Sequence, residues 1–308
     1  MKIAVIGAGP IGSILTAYLS KIKKQVILVD ILKDRLELIK KLGITVSGVG
    51  NFQSPVSSVC FAVNDLRKKY KLADISHIFI CVKAPVLPNV VREIKALKTK
   101  ATVVVFMNGM DLELVAAKVL GNDNVLRGVV NYAGSIITGT EVRMSFFNSP
   151  NHMGGLTAKG EVKAKEIAKM LSESGLGTVF ANDIRKYTWE KAILNGALAP
   201  VCALTGLTMK AAMDNPGTFH LVEELLKEGI DAAKANGYVY GPKFFGECIK
   251  YLKNAGDHKP SMLVDIERKQ TTEVDYINGK IVEYGKAKGV AVPYNDSITC
   301  LVRAIETH

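Results

Sequence analysis

Cysteine is scarce and unpatterned in this chain: Cys60, Cys81, Cys202, Cys248 and Cys300 are odd in number, far apart and nowhere in a Cys-x-x-Cys arrangement. That argues against a disulfide framework and against a zinc site, and it fits a reducing cytoplasm. Long apolar runs are also missing. Met1 to Ile6 begins like a secretion signal but stops at Gly7, and no later stretch reaches the ~20 residues needed to cross a bilayer, so a soluble protein without a membrane partner is expected. The chain has no internal repeat and no low-complexity tract. Clustered charge is absent too: the formal charge is +11, yet the lysines are spread along the whole sequence. Without a basic stripe, nucleic acid is not the expected partner. The surplus suits a solvated surface, or attraction for an anionic cofactor and substrate.

What is present points to two domains. A chain of 308 residues, 48% hydrophobic and 22% charged, lies in the ordinary globular range and exceeds the usual size of one domain. Lys2 to Ile6 is a short β-branched run, followed by a glycine-rich turn and by Ile14, Leu15, Tyr18 and Leu19 at helical spacing. Val26 to Val29, Ile78 to Val82 and Thr102 to Met107 are further strands, and Leu32 to Lys41 is an amphipathic helix. Strands alternating with helices predict a doubly wound, mainly parallel α/β sheet. Strand-like runs continue through Arg143 to Phe147 and Gly177 to Phe180. Beyond them the periodic segments become long and helical: Trp189 to Ala203, Leu221 to Ala235 and Met262 to Lys288. The expected division is a dinucleotide-binding Rossmann domain over 1–182 and an all-α substrate and catalytic domain over 183–308.

Gly7-Ala8-Gly9-Pro10-Ile11-Gly12 fits G-x-G-x-x-G, follows a strand, opens a helix, and precedes a second strand that ends in Asp30. In that context Gly7 makes the tight turn, Gly9 lets the backbone approach a pyrophosphate, and Gly12 lets helix and strand pack closely. The helix N-terminus then offers free N–H groups and a positive dipole end to the phosphates. Asp30 is placed to accept from both adenosine ribose hydroxyls, which favours NADH over NADPH, although Lys33 and Arg35 follow closely enough to offset its charge. A loop-capping role for Asp30 is the alternative.

Reduction of a ketone requires a proton donor and a substrate anchor. Lys191 and Asn195 are four residues apart, on one face of a helix. Ile193, Leu194 and Leu198 around them favour a desolvated ammonium with a lowered pKa, against the alternative of an ordinary surface lysine. At ~100° per residue along the segment from Met262, Glu273 falls within about 60° of the apolar face defined by Leu263, Ile266, Val274, Ile277 and Ile281. It is there either a functional carboxylate or a helix-edge glutamate with a structural partner. Ser261, after Pro260, is a helix N-cap or a ligand.

The strings Val82-Lys83-Ala84, Asn108-Gly109-Met110, Trp189 to Asn195, Ser261-Met262-Leu263, Thr272 to Gly279 and Gly289 to Pro293 occur in an order that resembles the ketopantoate (2-dehydropantoate) 2-reductase family over nearly the whole chain. That resemblance implies NAD(P)H-dependent reduction of ketopantoate to D-pantoate, in pantothenate and coenzyme A biosynthesis. It implies Lys191 as the general acid and Glu273 as its partner, hydrogen-bonded to substrate hydroxyl or cofactor. Asn195 and Ser261 would hold the substrate, with Ser261 near its carboxylate. Lys83 and Asn108 would line the nicotinamide end of the site, serving substrate and cofactor, and Gly134 would lie along the cofactor. No metal is implied, and a homodimer is possible.

Two positions depart from the family pattern. Ala199 and His258 stand where better-known members carry asparagines that contact the hydroxyl-bearing end of the substrate. A missing hydrogen-bonding group can change discrimination by orders of magnitude. A D-2-hydroxyacid dehydrogenase acting on another 2-keto acid is therefore the alternative, followed by a non-catalytic dinucleotide sensor, against which Lys191 and Glu273 together speak.

Overall fold

The computed structural model describes residues 2–306. The chain forms two compact units: residues up to 107 with 111–184, and 108–110 with those from 185 onward.

The first unit opens with β1 (Lys2–Ile6), α1 (Pro10–Lys21), β2 (Gln25–Val29) and α2 (Lys33–Leu42). Three short strands follow, β3 (Ile44–Gly48), β4 (Phe52–Ser54) and β5 (Ser58–Cys60), then the short helix α3 (Asp65–Lys69). Next come β6 (Ile75–Ile80), α4 (Leu87–Leu97), β7 (Thr102–Phe106), α5 (Leu112–Leu120) and β8 (Val125–Val129). The unit closes with β9 (Tyr132–Ile136), β10 (Glu141–Phe147), β11 (Asn151–Gly155), α6 (Ala158–Ser174) and β12 (Thr178–Phe180).

Eight strands make one sheet in the order β12-β11-β8-β7-β6-β1-β2-β5. Every neighbouring pair is parallel except β11 with β8. The central strands are Val- and Ile-rich with both faces covered; β7, for instance, is buried at all five positions. Continuous apolar runs of this kind are what a parallel sheet needs between helical layers. Strand order reverses between β1, which leads on to β2, and β6, which starts the other half. That is the switch point beside whose strand ends ligands bind in open α/β sheets. A second, four-stranded sheet, β4-β3-β10-β9, is visible in the sequence only as the strand-like run from Arg143 to Phe147, in β10. Its pairing of β3 with β10 joins strands about a hundred residues apart.

The second unit is helical: α7 (Ile184–Thr205), α8 (Met209–Asp214), α9 (Pro216–Ala235), α10 (Phe244–Lys253), α11 (Ser261–Glu267), α12 (Asn278–Ala287) and α13 (Pro293–Glu306). Trp189, Ile193, Leu198, Cys202, Leu226 and Val302 are among its core residues. The expected continuous helix from Met262 to Lys288 does not exist. Its apolar periodicity belongs to α11 and α12, with a loop and a 3-10 turn (Val274–Tyr276) between them. The break starts where Lys269 takes a left-handed φ of 54°. It is sustained by Thr272, whose hydroxyl accepts from the Val274 N–H at 3.1 Å, a local bond that competes with helix continuation.

Candidate active site

In the first unit, the end of β1 and the start of α1 form the glycine loop. Gly7 has φ 105°, and a Cβ there would lie 2.6 Å from the Cys81 carbonyl oxygen, at the end of β6. A Cβ on Gly12 would lie 1.9 Å from the Gly7 carbonyl oxygen. Protein packing therefore requires both glycines. Gly9 is different, because a Cβ there would meet no protein atom within 4 Å. Gly9 is also the N-cap of α1 and has no side-chain cap, so no N-cap side chain takes up the helix's first N–H groups, as an anion site demands.

The Ala8 peptide is held on both sides. Its N–H donates to Asp30 Oδ2 at 2.6 Å, while its carbonyl accepts from the Arg35 guanidinium and from the Ser13 hydroxyl. Arg35 also donates to Ser13 Oγ at 3.0 Å, and Asp30 Oδ1 accepts the Leu32 N–H at 3.0 Å. Burial lowers the Arg35 pKa, with the Asp30 charge working in the other direction. Arg35 thus braces the loop. Ile31 and Leu32 follow Asp30 and are exposed.

Lys83, half-buried, caps the 3-10 turn Ala84–Val86 at the end of β6. Gly134 lies in β9, where a Cβ would come within 2.4 Å of the Arg143 carbonyl oxygen and 3.0 Å of Ile14. Strand and helix packing already explains a glycine at that position.

In the second unit, α7 carries Lys191 and Asn195, one turn apart and both half-buried. Between and beyond them Ala192, Ile193, Ala197 and Leu198 enter the core. Burial pushes the Lys191 ammonium down to about 8, with Glu190 opposing the shift. Glu273 is 7% exposed. It is the N-cap of the 3-10 turn Val274–Tyr276 rather than a helix-edge residue, so its burial has a different cause from the one periodicity suggested. Ser261 is exposed and is the first residue of α11, with Pro260 at the N-cap. The capping alternative for Ser261 is thereby overturned, because the proline supplies the extended residue that precedes the helix.

Asn108, half-buried, belongs with this unit although it follows β7. Two left-handed residues, Gly109 at φ 112° and Asp111 at φ 61°, turn the chain there, and the Met110 N–H donates to the Tyr276 carbonyl at 2.8 Å. Asn108 and Glu273 are therefore on backbone segments joined by a hydrogen bond. Ala199, one turn after Asn195, is 9% exposed within the core. His258 is half-buried, its pKa lowered by burial against the Asp257 charge, and its carbonyl accepts the Met209 N–H at 2.9 Å. No cluster of three His, Cys, Asp or Glu side chains suited to a metal, and no helix long and apolar enough to cross a membrane, is found among the described residues.

Two family models match the chain, one described as ketopantoate reductase PanE/ApbA over residues 3–156, the other as its C-terminal part over residues 183–306. The 2-dehydropantoate 2-reductase of Pyrococcus horikoshii is 29% identical over 322 residues, covering 100% of this chain and 98% of its own length. That of Archaeoglobus fulgidus is 28% identical over 306 residues, covering 99% and 98%. Among solved structures, a D-mandelate dehydrogenase in ternary complex with NADH and anilino(oxo)acetate is similar at a TM-score of 0.88 and 27% identity, covering 100% of this chain and 99% of that one.

Proposed function

Because the chain belongs to the ketopantoate reductase family, we propose that it is a nicotinamide-dependent reductase that converts 2-dehydropantoate to D-pantoate. The observation that carries this reading is Lys191, an ammonium on the helix whose neighbouring Ala192, Ile193, Ala197 and Leu198 enter the core, with its pKa brought down by burial to about 8. A proton donor with a pKa near the working pH is what a developing alkoxide needs.

When bound, the reduced dinucleotide supplies the hydride that reaches C2 of the keto acid. The glycine loop of the first unit would hold it, with Asp30 as the acceptor for the adenosine ribose hydroxyls and Lys83 and Gly134 as further cofactor-binding residues. Asp30 keeps an acceptor lone pair on each oxygen after its two backbone bonds, and with Arg35 committed to the Ala8 carbonyl the balance favours NADH. In the second unit Lys191 Nζ gives its proton to the keto oxygen and is left as the amine. Glu273 orients the substrate hydroxyl or the cofactor, Asn195 and Asn108 bind the substrate, and Ser261 receives its carboxylate. All five cysteines are free thiols, four of them buried, which supports operation in a reducing cytoplasm.

Ala199 and His258, with the likeness to a D-mandelate dehydrogenase, favour a second reading: the same chemistry on a 2-keto acid without the branched, hydroxyl-bearing tail. Steady-state kinetics with ketopantoate and a panel of simpler 2-keto acids, each with NADH and NADPH, tests both. A kcat/KM for ketopantoate at least ten times that of any simpler acid supports the first; the reverse order supports the second. No turnover with any member of the panel would remove the reductase assignment.

A further inference from the structure

We propose that Asn278 is a positioning residue for the reducing site: its carboxamide splints α7 at the break made by Pro200, immediately beyond Asn195, and so holds the Lys191 ammonium in place. The inference rests on the reading that α7 carries the proton donor.

Pro200 lies inside α7. It has no N–H, so the carbonyl four residues earlier, that of Gly196, loses its in-helix donor. A buried carbonyl must find another partner. Asn278 supplies it, with Nδ2 donating to Gly196 O at 2.8 Å. The fit is close: a Cβ on Gly196 would lie 3.1 Å from Asn278 Nδ2 and 3.3 Å from Ile277 Cγ2.

The orientation of that amide is dictated from the far side of the unit. Glu228, on α9, accepts the backbone N–H groups of Tyr294 and Asn295 and the Asn295 side-chain NH2, each at 2.8 Å. Asn295 Nδ2 also faces the Leu225 carbonyl at 3.3 Å. Its Oδ1 must therefore point the other way, where it accepts from Asn278 Nδ2 at 3.0 Å. Asn278 presents its NH2 to two acceptors, and its own Oδ1 has no partner among the described residues. Flipping either amide would set oxygen against oxygen. Asn278 and Asn295 are both fully buried, so no solvent competes. The chain of bonds runs from a carboxylate on α9 through α13 and α12 to the interrupted turn of α7. Asn278 also stands two residues after the 3-10 turn that Glu273 opens, so one side chain links the Lys191 helix to the Glu273 segment.

The test combines lysine NMR with kinetics on the full chain. Lysines are reductively methylated with 13C, and the Lys191 resonance is identified by its loss in Lys191→Met. In the parent this resonance should titrate near 8. In Asn278→Ala it should move toward the ordinary lysine range as water reaches the loosened helix, with kcat for the 2-keto acid falling ~10-fold and dinucleotide Kd unchanged. Restoring an in-helix donor with Pro200→Ala should shrink the Asn278→Ala effect. Thr299→Val removes a buried hydroxyl bond to the Asn295 carbonyl; it should lower Tm yet leave the Lys191 titration where it was. Should Asn278→Ala not fold, Gly196→Ala presses on the same contact while gaining helix propensity, and should shift the same resonance. If the Asn278 and Gly196 variants lose only Tm, with Lys191 titration and kcat unchanged, Asn278 is structural and the inference is wrong. Absence of turnover in the parent would instead count against the reductase reading, and the lysine titration would still decide whether Asn278 positions the ammonium.

Discussion

The Met110 N–H and the Tyr276 carbonyl, 2.8 Å apart, join the turn that follows a Rossmann strand to the 3-10 turn that Glu273 opens. The turn bearing Asn108 thus shares a backbone support with the Glu273 segment of the helical unit. Glu273→Ala should lower kcat ~10²-fold while leaving dinucleotide Kd, measured by titration calorimetry, within about two-fold. An unchanged kcat would remove Glu273 from the mechanism.

Lys191→Met should abolish turnover on the same ~10²-fold scale or beyond, and it should also stabilise the fold. The ammonium's folded-state pKa lies near 8 against an ordinary 10.5, so between those values the unfolded chain binds more protons and stability rises with pH. Below 8 the penalty is constant, and replacing the lysine with a neutral, similarly shaped side chain relieves it. Water still reaches the side chain and reduces the effect, leaving about 1–2 kcal/mol at pH 7. Thermal denaturation of the variant and parent at pH 7 checks the sign.

The same group sets the basic limb of the pH profile. Reduction needs the protonated form, so kcat should fall as pH rises through about 8, and the limb should vanish when the chemical step is followed in Lys191→Arg, whose guanidinium does not titrate there. Stopped-flow single turnovers across pH 6–10, a range of about two units on either side of that value, would show it.

Gly9 and Gly12 should fail in different ways. Gly12→Ala places a methyl group 1.9 Å from the Gly7 carbonyl oxygen and should prevent proper packing of α1 on β1. Gly9→Ala meets no protein atom and should keep the parent's Tm while dinucleotide Kd rises ~10-fold or more. A Gly9→Ala variant that binds dinucleotide normally would show that the open space before that residue is not used.

Asp30 and Arg35 separate cofactor choice from loop support. Asp30→Ser should shift the NADH to NADPH ratio of kcat/KM toward NADPH by ~10-fold or more, by removing the charge that opposes a 2′-phosphate. Arg35→Ala should weaken both cofactors to a similar extent, because its guanidinium braces the Ala8 carbonyl and Ser13. A selective loss of NADPH in Arg35→Ala would show that it serves the phosphate instead.

Local chemistry made much of this legible from the chain alone. The glycine loop, Asp30 at the end of β2, and the shared face of Lys191 and Asn195 each depend on spacing within one turn, strand or helix, and short-range sterics allow few alternatives there. Periodicity misled between Met262 and Lys288, because apolar residues on α11 and α12 fall into one phase by coincidence, while Lys269 and Thr272, which break the run, are compatible with a helix when considered singly. The β3–β10 pairing, the bond from Met110 to Tyr276, and the partner of the Gly196 carbonyl left no such trace. Each pairs residues about 80 or more apart in the sequence. Pro200 announces that a carbonyl will be orphaned, but which side chain answers it follows only from how α7, α9, α12 and α13 pack, since burial makes an unpaired polar group costly and so selects the partner after the chain has folded.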